Sequence, residues 1–299
     1  MLALCRRLQW FLCSTPALRA LVLLAITMAL PWLAEAAAAP KAYVGLFKDN
    51  AIAVLDTGTN RVQGTIPVPQ GPHGIVITPD GRKVYVSSDG ASAVSVIDTQ
   101  TDKVVRSIEV GANPHGLAIS PDGRQVLVGA FGTNQVVLID TSTDQVVKRL
   151  PVPMAHNSAL SPDGRMAYVG SQQQGATAIV ILDLIQGTQI GTIPLEKTPR
   201  GLALSPDATQ LYVTVAGSDA VQVVDLTSQR LVGQIPVGAS PHLTRSNQRC
   251  PSPASSARRS FLIAAILTGT GANPTRALTA SSNACALAPV PPNASASIK

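Results

Sequence analysis

Little of this sequence is aromatic or charged: 3% and 13% of its 299 residues, respectively. The charged fraction is about half the usual level. So few aromatics exclude a surface that reads single-stranded nucleic acid by stacking bases. Trp10 and Trp32 both lie in the first 39 residues, so no Trp is left beyond them to build an aromatic sugar platform. Cysteine is as scarce. Cys5 and Cys13 lie in the leader, residues 41–242 hold none, and Cys250 and Cys285 lie in the tail. That pattern excludes a cysteine metal cluster and a disulfide framework, although Cys250 and Cys285 could pair in an oxidising compartment. No C-x-x-C-H occurs, which excludes covalent c-type haem attachment. G-x-S-x-G, H-E-x-x-H, the P-loop and G-x-G-x-x-G are also absent, and no segment carries a sustained helical stripe.

What is present begins with an address. Arg6, Arg7 and Arg19 precede the apolar run Leu21–Leu30, and Ala34-Glu35-Ala36-Ala37 follows it. A basic start, a short apolar centre and an A-x-A-like site predict a signal peptide over 1–37, cleaved near Ala36/Ala37. The apolar run is short for a membrane span. The expected location is periplasmic or secreted, with no membrane span after signal removal.

The middle of the chain repeats. Asp56, Asp98, Asp140, Asp183 and Asp225 each end an alternating apolar run, at spacings of 42, 42, 43 and 42. Pro79-Asp80-Gly81, Pro121-Asp122-Gly123, Pro162-Asp163-Gly164 and Pro206-Asp207-Ala208 recur in phase with them. Within one period, residues 74–78, 83–87, 93–98 and 103–110 read as strands, because Val and Ile alternate there and turn residues fall between the runs. Pro presets φ, Asp bonds its own backbone and Gly tolerates positive φ. Four strands in about forty residues predict an all-β fold, a β-propeller of four-stranded antiparallel blades.

Ala42-Tyr43-Val44-Gly45, Val84-Tyr85-Val86-Ser87, Ala167-Tyr168-Val169-Gly170 and Leu211-Tyr212-Val213-Thr214 resemble the motif of the YVTN-repeat β-propellers. So do Ser95-Val96-Ile97-Asp98-Thr99 and Ala118-Ile119-Ser120-Pro121-Asp122-Gly123. The resemblance covers residues 41–242, and Leu127 departs from it at the tyrosine position. It implies an exported propeller, in a superfamily with the propeller chain of quinoprotein amine dehydrogenases and with haem-binding nitrite reductase propellers. The missing Trp removes the docking pattern of propellers that hold a quinone themselves. About five blades are encoded: complete ones at 74–110, 116–152, 157–195 and 201–237, and the outer three strands of another at 41–68. Members of the resembled family commonly close with seven blades, so a truncated seven-blade ring is the alternative.

From Leu243 to Lys299 the repeat stops in mid-strand. These 57 residues hold no acid, six Arg or Lys, and 27 Ala, Ser or Pro. The expectation is a low-complexity, disordered tail or the product of a reading-frame error after about His242. The net charge of +6 divides accordingly, because residues 40–242 carry 14 basic against 16 acidic side chains. The repeats are slightly acidic, so no nucleic-acid partner is expected.

All four histidines occupy one repeat position. Pro72-His73-Gly74, Pro114-His115-Gly116, Ala155-His156-Asn157 and Pro241-His242 are in phase, and Pro199-Arg200-Gly201 takes the remaining place. Each segment leads into the innermost strand of its blade, which gathers these side chains at one mouth of the channel. Imidazoles there are candidate metal or haem-edge ligands. They are equally candidate consensus residues that bond the neighbouring loop, and Arg200 favours an anion over a cation. Asp98 and Asp140 read as turn formers, not as catalytic groups, and no catalytic residue is expected. The main reading is an exported, non-catalytic propeller that binds a protein or small molecule without a cofactor. The alternative is a metal- or haem-associated propeller accessory to a periplasmic redox enzyme, using His73, His115, His156 and His242. A hydrolase of the lactonase type would need acids at the mouth, where Gly, Pro, His and Arg stand.

Overall fold

A computed structural model describes residues 41–237 and Pro241. Every described residue belongs to the unit that begins at Lys41. The signal peptide expected over 1–37, His242 and the tail 243–299 lie outside the described residues.

Five antiparallel sheets follow one another along the chain. The first has three strands, β1 (Lys41–Leu46), β2 (Ala51–Asp56) and β3 (Arg61–Pro67). The second holds β4 (Pro72–Ile77), β5 (Lys83–Ser88), β6 (Ala93–Asp98) and β7 (Lys103–Glu109). The third holds β8 (Pro114–Ile119), β9 (Gln125–Ala130), β10 (Gln135–Asp140) and β11 (Gln145–Pro151). The fourth holds β12 (Ala155–Leu160), β13 (Met166–Ser171), β14 (Ala178–Asp183) and β15 (Thr188–Pro194). The fifth holds β16 (Pro199–Leu204), β17 (Gln210–Val215), β18 (Ala220–Asp225) and β19 (Arg230–Pro236). This is the all-β, partial-propeller architecture that the repeat predicts, with one three-stranded and four complete blades. Among the described residues no helix is long and apolar enough to cross a membrane.

The turns form for the reasons their residues suggest. Asp80 Oδ1 accepts from the Arg82 N–H at 3.0 Å and from the Thr78 hydroxyl at 2.5 Å. Gly81, Gly123 and Gly164 then take φ of 70° to 72°, where a glycine costs nothing sterically. Ala208 holds the same place in the fifth blade at φ 56°. Asp98 Oδ1 accepts from the Gln100 and Thr101 N–H groups at 3.0 and 2.8 Å, which is an Asx turn and accounts for the aspartate that ends each third strand.

Alternation gives each sheet two apolar faces, and neighbouring sheets bury them against each other. Tyr43, Ile52, Val54, Ile66 and Val68 of the first sheet meet Val84, Val86 and Ile97 of the second. The same arrangement recurs between the second and third, third and fourth, and fourth and fifth sheets. A polar clasp closes two of these interfaces. Asp102 accepts from Lys41 Nζ at 2.5 Å and from the Tyr43 hydroxyl at 2.7 Å. Asp144 accepts likewise from Lys83 at 2.7 Å and Tyr85 at 2.5 Å. Tyr43 and Tyr85 are therefore links between neighbouring blades. Burial, and next the facing aspartate, push the Tyr43 and Tyr85 phenols well above their ordinary pKa.

Candidate functional site

The innermost strands β4, β8, β12 and β16 pack side by side in chain order. Each opens with an interrupted register: Pro72 pairs with Ser88 and the next pair is Ile75 with Val86. Pro114, Ala155 and Pro199 begin the same break. His73-Gly74, His115-Gly116, His156-Asn157 and Arg200-Gly201 fill the four breaks. Such an irregularity re-aims a side chain that a regular ladder would send to one face.

The backbone spacing explains the glycines. A Cβ on Gly74 would stand 2.5 Å from the His115 carbonyl oxygen, and one on Gly116 would stand 2.7 Å from that of His156. Ser87 fixes the first approach by accepting from the Gly74 N–H at 2.8 Å while donating to the His115 carbonyl. Thr214 accepts from the Gly201 N–H at 2.7 Å in the fifth blade. The inner strands thus come close enough for their first side chains to meet.

They do meet. The rings of His73 and His115 are 3.9 Å apart, edge to face, and those of His115 and His156 are 4.1 Å apart. His156 is 1% exposed, whereas His73 and His115 are half-buried at the mouth. Three of the four sequence candidates are therefore brought together, and the fourth, His242, lies outside the described residues. Arg200 takes the equivalent place on β16, where its carbonyl accepts from the Asn157 side chain at 2.7 Å. The Arg200 Nε is buried and, among the described residues, has no hydrogen-bond partner.

Two contributors came from elsewhere in the repeat. Asp89 lies 3.5 Å from His115 Nε2, and Phe131 stands 5.8 Å from the His115 ring and 6.3 Å from that of His156. Both follow the second strand of a blade. Pro72 pairs with Ser88 and Pro114 with Ala130, so the next residue, Asp89 or Phe131, reaches the mouth. That register was the available signal. Among the described residues no group of three or more His, Cys, Asp or Glu side chains is arranged to hold a metal ion.

Comparison with known proteins adds a family. The cytochrome D1 heme domain family matches residues 43–248. No curated protein matches the chain. Among solved structures, Kuenenia stuttgartiensis hydrazine synthase is 19% identical, over 70% of this chain and 90% of that one, with a TM-score of 0.52. A functionally unknown protein from Desulfotomaculum acetoxidans DSM 771 is 18% identical, over 65% and 68%, with a TM-score of 0.54. At these identities the two structures bear on the fold alone. The YVTN-type resemblance is a coarser reading compatible with the family match.

Proposed function

The chain belongs to the cytochrome D1 heme domain family, and from that premise we propose an exported, haem-associated propeller accessory to a redox enzyme, with the haem edge at the histidine mouth. The observation that carries the reading is the mutual contact of His73, His115 and His156. The membership favours this alternative over a cofactor-free binding scaffold.

The donors present fit a haem better than a bare ion. An ion such as zinc needs three or four converging protein ligands, and the described residues offer no such group. A haem brings its own four nitrogens and would need only one further donor from the protein, commonly an imidazole. His115 is poorly placed for that task, because its Nε2 faces Asp89 at 3.5 Å and its Nδ1 is buried. His73, half-buried at the mouth, is the better donor. Arg200, with a buried Nε, suits a carboxylate substituent of the ring. A haem held there would supply one-electron chemistry. The chain's own residues would do the positioning: Asp89 fixes the His115 ring, His156 backs it from the buried side, and Phe131 walls the pair with an apolar face.

The test is a haem titration of the exported protein. The expected result is a saturable, one-to-one shift of the Soret band. His73→Ala should remove the imidazole-ligation signature from the spectrum, and Arg200→Ala should weaken binding about tenfold, the loss of one charge-assisted bond. Absence of saturable binding, or an unchanged spectrum in His73→Ala, would overturn the reading and return the protein to the cofactor-free scaffold.

A further inference from the structure

A second tier of side chains stands beside the histidine mouth. Phe47, Asp89, Phe131 and Gln172 directly follow β1, β5, β9 and β13, and each lies against the start of the next sheet's inner strand. A Cβ on Gly71, two residues before His73, would stand 3.2 and 3.3 Å from the Phe47 ring. Asp89 faces His115 Nε2 at 3.5 Å. Phe131 stands 6.3 Å from the His156 ring. Gln172 Nε2 donates at 2.8 Å to the carbonyl of Pro199, beside Arg200.

Around the mouth the tier reads apolar, polar, apolar, polar. The polar pair holds the inner strands in place: Asp89 faces an imidazole and donates its N–H to the Gly71 carbonyl at 2.8 Å, and Gln172 pins the backbone next to Arg200. A phenylalanine side chain has no such bond to give. Phe47 and Phe131 also take no part in the four apolar clusters between the sheets, where Tyr43, Tyr85 and Tyr168 are found. They are the only two phenylalanines among the described residues, so the fold places both at the mouth and neither in the core.

Local structure fixes both rings. The Phe131 N–H donates to the Asn113 carbonyl at 3.2 Å, and the Gly132 N–H to that of Ala112 at 2.9 Å. These bonds tie the Phe131 turn to the segment that leads into His115. Phe47 is placed by Gly71, whose φ of 70° costs a glycine nothing and whose missing side chain leaves room for the ring. The Gly71 N–H donates to Asn50 Oδ1 at 3.0 Å, which holds that segment against the first sheet.

A bare ion or a small anion makes no use of two such rings, whereas a ligand with broad apolar faces does. We propose that Phe47 and Phe131 are positioning walls for a planar tetrapyrrole, which they hold by its apolar surface whether or not it carries a metal. The inference rests on the haem-associated reading and deepens it. His73 and Arg200 serve the iron and the carboxylates, and the two phenylalanines serve the macrocycle itself.

The test titrates ferric haem and metal-free protoporphyrin separately into the full exported chain, followed by absorbance and, for the metal-free ring, by fluorescence. Wild type should bind both, haem the more tightly. Phe47→Ala and Phe131→Ala should each weaken both probes by the same factor, about tenfold, as for an aromatic anchor. Phe131→Tyr should restore the affinity, and His73→Ala should weaken haem alone. Circular dichroism and melting temperature confirm that each variant is folded. Metal-free binding that depends on the phenylalanines, with a haem spectrum indifferent to His73→Ala, would uphold the walls and remove the iron ligand. Haem binding without metal-free binding, or unchanged affinities in both alanine variants, would overturn the walls and leave the haem reading in place. A lowered melting temperature with unchanged affinity would make the rings structural and also overturn them. Failure of both probes to bind would remove the walls and the haem reading together.

Discussion

Removing one hydroxyl tests whether the blades are held by their tyrosines. Tyr85 is fully buried, and its hydroxyl donates to Asp144 Oδ1 at 2.5 Å, from the second sheet to the third. Tyr85→Phe keeps the ring and deletes that bond together with a long, 3.5 Å contact to the Thr141 carbonyl. A hydrogen bond to a charged partner contributes about 1.5–3 kcal/mol net. The lower half of that range applies here, because Asp144 keeps Lys83 at 2.7 Å and is not left uncompensated. The expected cost is about 1.5–2 kcal/mol, which for a domain of this size lowers the melting temperature by roughly 3–8 °C. Equilibrium urea unfolding followed by circular dichroism measures it, provided that the transition is two-state. An Asp144→Asn background supplies the control: once the carboxylate is neutral, the same Tyr85→Phe change should cost only about 0.5–1 kcal/mol. A cost below about 0.5 kcal/mol in the wild-type background would refute the clasp as a stabilising link. So would an equal cost in both backgrounds.

Three further outcomes follow from the same contacts. The phenols of Tyr43, Tyr85 and Tyr168 are raised above the ordinary value of 10.0, first by burial. Their contribution is fully present below pH 10 and lost as pH climbs through the folded values, so phenolate absorbance should appear together with unfolding; reversible ionisation of all three near pH 10 in the folded protein would contradict this. Asp140 is held below the usual carboxylate range, chiefly by the Ser142 hydroxyl and the Thr143 N–H. Its contribution is present above about pH 3.9 and lost as pH falls through the lower folded value, so Asp140→Asn should flatten the acid limb of the stability curve; an unchanged slope would count against it. A Cβ on Gly116 would stand 2.7 Å from the His156 carbonyl oxygen, whereas one on Gly64 meets nothing within 4 Å. Gly116→Ala should therefore cost about 1–3 kcal/mol in urea unfolding and Gly64→Ala no more than about 0.5 kcal/mol, and equal costs would refute the close-approach argument.

The blade is legible in the sequence because its determinants are local. The second and third strands, expected at 83–87 and 93–98, are observed at Lys83–Ser88 and Ala93–Asp98. Alternation and turn chemistry act within a few residues of each other there. The inner strand, expected from 74, begins at Pro72. The miss falls on the irregular register, where Pro72 pairs across a gap that alternation cannot reveal. The histidines were legible in phase but not in distance, because contact between them depends on how closely neighbouring inner strands approach. Asp89, which with Gly90 reads as a turn signal, and Phe131 were not legible as site residues because the turn after the second strand differs from blade to blade. Its residues carry no repeat signal of their own.

The one departure from the tyrosine pattern shows what the repeat encodes. Leu127 lacks the hydroxyl, and the residue 60 positions later that would receive it is Gly187, at φ 73° and without a side chain. Lys148 fills the vacated place and donates to the Leu184 carbonyl at 2.8 Å. Had only the hydroxyl been lost, a half-buried carboxylate would remain without its phenol. Had only the carboxylate been lost, a buried hydroxyl would be unpaired. Losing both together leaves no polar group to satisfy, and replacing both partners by apolar or absent groups is close to neutral. Leu127 and Gly187 therefore form one matched change, in different blades. The pairs Tyr43–Asp102 and Tyr85–Asp144 are matched over nearly the same separation. The unit that must be self-consistent is thus the interface between blades, not the blade.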